Sequence, residues 1–279
     1  MNPEFLIDPA VAEKSLRNIQ IPPRPKLLAD IDQELKRDDP DIGLLCQSIA
    51  KDVSLAAAVL KVINSPFFGL QKKVGAVAPA VHMLGIKNIK CLVSGLILRQ
   101  SIQGEAASLE RFWDSAEKVA RISAHVASLL PRVPRDEAYT FGLFRDIGIP
   151  MLMQRFPGYR DTLRSASGLD TPLTEVEEEV HGTNHAIIGY MFARTWALPE
   201  AITEGILVHH DPAALSETFS ALPLAKTLVA INYLAEHLND SVLRMKVDPQ
   251  WASMGARVQD YLGISATEIE ELKNAIEDF

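Results

Sequence analysis

The sequence predicts an all-α protein, and three observations carry that prediction. No run shows the period-two alternation of β-branched and aromatic residues that marks a strand. Aromatic residues make up only 6% of the chain, low for an all-β protein. Apolar residues such as Leu55, Ala58, Val59 and Val62 recur instead at helical spacing, between breaks set by Pro, Gly and Asp.

Taken in order, Ile21-Pro22-Pro23-Arg24-Pro25 is a proline-rich entry into a helix near Lys26 to Arg37. Asp39-Pro40-Asp41 breaks that helix, and Asp41 is placed to cap the next, near Ile42 to Lys51. A third helix runs from Ser54 to Ile63. Asn64-Ser65-Pro66-Phe67-Phe68-Gly69 ends it, because a residue before proline avoids the helical region. Val77 to Gly85 forms a helix closed by Gly85. Asn88 to Leu98 follows, apolar on most sides and so expected to be central.

Gln103-Gly104-Glu105-Ala106-Ala107-Ser108 is small, polar and aperiodic, and is the predicted domain boundary. The expected division is an extension over 1–20, a helical subdomain over 21–104, and a helical bundle over 105–279. Landmarks of the bundle are Phe112-Trp113, Phe141 to Gly148, Thr183 to Trp196, and the helix opened by Leu198-Pro199 and ended by His209-His210. Ile264 to Phe279 is predicted to close the chain as an amphipathic helix, packed on its own body or on a second copy in a homodimer.

Composition narrows the function. A chain of 279 residues can hold one large domain or two modest ones. Its net charge of -8 argues against broad nucleic-acid binding, which favours basic faces. Cys46 and Cys91 lie in apolar helical stretches and are expected to be buried, reduced thiols. The N-terminus lacks a basic start followed by an apolar run, and no uncharged apolar stretch reaches the roughly 18 residues of a membrane span. A cytoplasmic location without membrane contact is therefore expected. No internal repeat, Gly-rich phosphate loop or Gly-x-Ser-x-Gly elbow occurs.

Several short segments fall in a recognisable order. They are Ile21 to Pro25, Ile49-Ala50-Lys51-Asp52-Val53-Ser54-Leu55, Ile63 to Gly69, and Ala80-Val81-His82-Met83-Leu84-Gly85 in the first half. Phe112-Trp113-Asp114-Ser115, Gly142 to Gly148, His185-Ala186-Ile187-Ile188-Gly189, Trp196-Ala197-Leu198-Pro199 and His209-His210-Asp211-Pro212 follow. In this order the chain, over roughly 17 to 240, resembles the HDOD family of bacterial signalling proteins, degenerate relatives of HD-type metal phosphohydrolases. Asp52-Val53 departs from the family's usual Asp-Pro. The resemblance implies a helical subdomain joined to a degenerate HD-type bundle, with a non-catalytic signalling role. Such modules often follow receiver domains, and only about 20 residues precede the match here, so a signal is expected to arrive by binding.

HD chemistry uses a metal held by an upstream His, a His-Asp pair and a late Asp, which activates a bound water for attack on phosphorus. Carried over, those positions fall on Ser115, Arg145-Asp146 and Asn232. Of the four expected ligands only Asp146 survives. Arg145 cannot replace the His, because its guanidinium stays protonated and has no lone pair to donate. Arg145 either pairs with Asp146 or a nearby acid, or offers its fork to a phosphate or carboxylate.

The other polar candidates have structural readings beside functional ones. His185 shares a helical face with Ile188, Gly189, Phe192 and Trp196, the setting of a core histidine donating to a carbonyl. His209 shares a face with Ile202 and Ile206, and His209-His210 sits at a helix end. With Asp146 and His185 the pair could line a remnant pocket. His181 and His185 have the spacing of a helical zinc pair, yet Gly182-Thr183-Asn184 interrupts the helix between them. The run Glu175-Val176-Glu177-Glu178-Glu179 is expected to be a solvated face. No Gly-Tyr-Pro loop follows His209-His210, so the phosphodiesterase activity of HD-GYP proteins is not expected.

The resulting expectation is a regulatory module that acts by binding a protein partner or a small anion. Its ligand site is Arg145, Asp146, His185, His209 and His210, and no cofactor, metal or catalytic residue is expected. The alternative is a divergent metal-dependent phosphohydrolase with Asp146, His185, His209 and His210 as a rearranged ligand set. A third is a purely structural module.

Overall fold

In a computed structural model the described residues are 7, 11, 15, 19, 21–64, 72–102, 106–166, 171–245 and 248–276; among them only helices, turns and loops occur. The chain divides into two compact units. A smaller one covers Pro23–Ile102, and a larger one covers Gln103–Asp278 together with the segment up to Pro22.

The smaller unit is built on short helices with clear local causes. α1 (Lys26–Leu35) starts directly after Pro25, whose extended backbone ends the proline run, and buries Leu28 and Ile31. Arg24 and Lys90 both pair with Asp32 on its flank. α2 (Ile42–Ala50) is capped by Asp41, which accepts from the Leu44 amide at 2.9 Å. α3 (Val53–Ile63) is capped by Asp52, which accepts from the Leu55 amide at 2.9 Å. Asn64 ends α3, and its side-chain amide both donates to and accepts from the Val74 backbone, at 2.8 and 2.7 Å.

The proline and aromatic run after Asn64, Ser65 to Gly69, lies outside the described residues. α4 (Val77–Leu84) stops at Gly85, which takes φ +79. α5 (Ile86–Ser101) begins two residues earlier and ends three later than the sequence suggests. It packs on α3 and α1, while α2 packs on α4. Cys46 is a buried free thiol. The side chain of Cys91 lies outside the described set.

The larger unit opens with α6 (Ala106–Leu129), so Ala106-Ala107-Ser108 belongs to a helix rather than to a linker. Alanine is the best helix former, which outweighs the small, polar look of that stretch. α7 (Arg135–Phe144), α8 (Gly148–Arg155), α9 (Tyr159–Ala166), α10 (Leu173–His181), α11 (His185–Thr195) and α12 (Glu200–Val208) follow. The central element is α13 (Pro223–Leu238), with Leu228 to Ala235 all buried. It packs against α6, α7 and α12.

A short π-helical turn, Asn239–Leu243, leads to α14 (Pro249–Leu262), which lies on α13. The predicted closing helix is shorter than expected. Gly263 takes φ +66, and Ser265 and Glu268 form a reciprocal capping box that starts α15 (Ala266–Ala275). Ile269, Leu272 and Ile276 are buried against the chain's own body. The indole N–H of Trp196, itself buried, donates to the Pro22 carbonyl at 2.9 Å, tying the N-terminal segment into this unit. No single described helix is long and apolar enough to cross a membrane.

Candidate functional site

Asp146 lies in the tight passage between α7 and α8, where Arg145 and Ile147 keep helical-type dihedrals. That passage is held against the start of α11. A Cβ on Gly148 would sit 2.0 Å from the His185 carbonyl oxygen, so only glycine permits the approach. Asn184 caps α11 by accepting from the Ile187 amide at 2.9 Å, which leaves His185 as its first residue. His209 and His210 follow the last turn of α12.

These elements bring Asp146, His185, His209 and His210 together. One ligand-type atom from each lies within 4.8 Å of every other. His209 Nε2 is 3.2 Å, and His185 Nε2 3.5 Å, from the same oxygen, Asp146 Oδ1. The other ring nitrogens are already used. His185 Nδ1 lies 2.7 Å from Glu177 Oε2, and His209 Nδ1 lies 2.7 Å from the Ile206 carbonyl. Carboxylate and carbonyl oxygens only accept, so both rings carry a proton on Nδ1 and aim Nε2 at Asp146. His185 is wholly buried, and its Nε2 has no hydrogen-bond partner.

Glu177 corrects the expectation of a solvated acidic face. Glu175, Glu178 and Glu179 are exposed, whereas Glu177 is fully buried. It accepts from the Tyr159 hydroxyl, from the His185 amide at 2.9 Å and from His185 Nδ1. His185 thus donates to a carboxylate rather than to the carbonyl expected of a core histidine. Helical phase does not carry this signal: Val180, on the same face three residues on, is 59% exposed.

Arg145 is 5% exposed and fully engaged. Its Nη2 lies 3.1 Å from Asp146 Oδ2, its Nε donates to Glu236 Oε1 at 2.7 Å, and its Nη1 donates to the Gly142 carbonyl. Of the two sequence readings, the ion pair is the one formed. Glu236 was not singled out in the sequence, although it is the lone acid in the apolar stretch of α13 and lies four residues beyond Asn232. Asn232, the expected late ligand position, is buried on α13 with its Oδ1 unpartnered. Ser115 is half-buried on α6. His181 stands apart from the group: Gly182 at φ +72 ends its helix, its Nε2 meets Thr162 Oγ1 at 2.9 Å, and its ring stacks on Phe156.

The electrostatics follow from burial and these partners. Burial pushes the Asp146 carboxyl up, but the Arg145 charge and then the His209 contact more than reverse this and hold it well below the usual carboxylate range. Burial lowers His185, yet its bond to Glu177 and that carboxylate's charge leave it raised. Burial, with the neighbouring imidazoles, pushes His210 well below an ordinary histidine. Glu236 is raised by burial despite Arg145.

A protein of Treponema pallidum without an assigned role is 24% identical over 232 residues, and the chain spans 43% of its length and 78% of its own. The fold is shared with three crystal structures. A candidate phosphohydrolase of Shewanella amazonensis matches with TM-score 0.73 and 22% identity, over 96% of this chain and 94% of the other. An HDOD domain protein of unknown function from Geobacter sulfurreducens gives TM-score 0.69 and 21% identity, over 96% and 97%. A candidate signal transduction protein of Marinobacter aquaeolei gives TM-score 0.70 and 20% identity, over 96% and 61%. The HDOD domain pattern itself matches residues 21–212, which includes the Arg145-Asp146 pair and all three clustered histidines. With most of the chain inside that match, the protein belongs to the HDOD family.

Proposed function

We propose that this protein is a non-catalytic regulatory module that acts by binding a protein partner. Membership of the HDOD family and a fold shared with a candidate signal transduction protein support a signalling role. The observation that carries the reading is Arg145. At the position where the HD pattern places a metal-binding His stands a buried guanidinium, bound to Asp146, Glu236 and Gly142. A fixed cation there neutralises Asp146 and repels a metal ion from that position. Because every side of the fork is used within the chain, a protein segment rather than a small anion is the class of ligand we assign.

A second reading, a divergent phosphohydrolase, is favoured by the clustering of Asp146 with three histidines. It lacks a place for the attacking water: four protein ligands complete a tetrahedral ion, whereas a catalytic metal keeps an open position. The test is turnover of bis(p-nitrophenyl) phosphate and of cyclic dinucleotides with added Mn²⁺, Zn²⁺ or Fe²⁺. We expect no rate above background for the native protein, and a measurable rate only when S115H, R145H and N232D together rebuild the standard ligand set. Turnover by the native chain that Asp146→Asn abolishes would overturn the proposal.

A further inference from the structure

We infer that the smaller unit presents a basic face to a second copy of this chain, and that the segment it receives is the acidic α10 of that copy.

The first argument is the distribution of charge. Pro23–Ile102 carries 11 Lys and Arg against 7 Asp and Glu, a net +4, while the rest of the chain carries 17 against 29, a net -12. The asymmetry sharpens from Val53 to Gly104, where six cations occur and no acid at all. At the chain's average of 36 acids in 279 residues, a run of that length would hold about seven. Burial of apolar helices does not explain the gap, because burial excludes lysine as strongly as glutamate. Only one sign of charge is missing.

The second argument is where the cations lie. Lys61 is on the last turn of α3. The Asn64 side chain, three residues on, makes two hydrogen bonds to the Val74 backbone, at 2.8 and 2.7 Å. It thereby holds the chain just after Lys72-Lys73 against the same helix end. Lys61, Lys72 and Lys73 are all exposed, and none has an acidic partner among the described residues. A helix C-terminus favours a nearby cation, which accounts for Lys61 but does not call for three. Val53, Ala57 and Lys61 follow one another at four-residue spacing along the exposed side of α3, and Val53 is 79% exposed. Ala78, Pro79 and Met83 are exposed on α4, which packs on α3. The face is therefore apolar, with lysines gathered at one end.

The third argument is the complement. α10 turns Glu175, Glu178 and Glu179 to solvent beside the exposed Val180. Glu175 and Glu179 stand four residues apart, where like charges repel across one turn. Neither has a cationic partner among the described residues. Each face thus leaves like charges unrelieved within its own chain, and contact between the two relieves both. A nucleic acid would meet the same lysines but would be repelled by the net -12 of the rest of the chain. A membrane surface calls for Trp, Phe or Leu on the docking face, whereas the exposed apolar residues described on α3 and α4 are Val, Ala, Pro and Met.

The experiment is sedimentation velocity of the full chain over a concentration series, with two charge-reversed variants. We expect self-association in about 0.1 M salt that weakens roughly 10-fold or more in about 1 M, as the screening length falls from about 10 to 3 Å. K61E/K72E/K73E should be monomeric, and so should E175K/E179K, because each then meets its unchanged complement with like charge. Mixed in equal amounts, the two variants should associate again and recover most of the native affinity. Circular dichroism establishes that each variant is folded. A native chain that stays monomeric in low salt overturns the inference. So does association that either variant keeps by itself, or a mixture that stays monomeric. Native monomers that bind phosphatidylserine vesicles through the three lysines would assign the face to a membrane and overturn it equally. None of these outcomes depends on the reading of Arg145, which the turnover assay tests.

Discussion

Replacing Glu177 should cost the larger unit more stability than any single acidic substitution elsewhere in the run from Glu175 to Glu179. Glu177→Ala strands three buried donors: the Tyr159 hydroxyl, the His185 amide and His185 Nδ1–H. Tyr159 and His185 are both fully buried, so water does not replace the lost acceptor. Each orphaned group costs about 1–3 kcal/mol. The three belong to one network and do not add, so the expected total is about 3–5 kcal/mol, the usual range for breaking a buried ionic contact. Glu177→Gln behaves differently. Its amide oxygen can still accept from His185, and the Tyr159 hydroxyl can turn to accept from the new NH₂ group. Only the charge assistance is lost, about 1–2 kcal/mol. Urea denaturation at 25 °C followed by circular dichroism measures both. A Glu177→Ala cost below about 1 kcal/mol, or a Gln variant as damaged as the Ala variant, would refute the role given to this carboxylate.

Two further substitutions test how the units are built. Gly148→Ala places a methyl group 2.0 Å from the backbone oxygen of His185, with no flexible side chain to yield. After the gain in helix propensity is set against it, a loss of about 2–4 kcal/mol is expected in thermal unfolding; a melting temperature within a degree of the native value would contradict the close approach. Asp52→Ala removes the cap of α3 and should cost the smaller unit about 1 kcal/mol. Asp52→Ser should recover most of that loss, and unfolding curves in which Ser and Ala behave alike would argue against capping.

Much of the helical pattern was legible because its signals are local. Asp41 and Asp52 cap the helices that follow them, and Gly85 stops α4, each through contacts within a few residues. Where local signals compete, the reading slipped. Ala106-Ala107-Ser108 looked like a linker yet starts a long helix. Gly263 and the Ser265–Glu268 capping box set the start of the closing helix at Ala266 rather than at the Ile264 the pattern suggested, although both signals stand in the sequence. At the site, Asp146, His185, His209 and His210 could be named as residue types suited to one pocket. Their separation gave no way to know that His185 and His209 face one oxygen. Glu177 and Glu236 were overlooked because acidic residues are usually solvated; what holds them is a tertiary partner, His185 for the fully buried Glu177 and Arg145 for the half-buried Glu236.

The bond from Trp196 to the Pro22 carbonyl carries a consequence for biosynthesis. The two residues are 174 positions apart, and the whole smaller unit lies between them. At about 5–20 residues per second, a ribosome needs roughly 9–35 s to add Trp196 after Pro22. All of Pro23–Ile102 is made within that interval. The Pro22 segment therefore waits for a partner made long after it, and until then its carbonyl is satisfied by water or by whatever shelters the nascent chain.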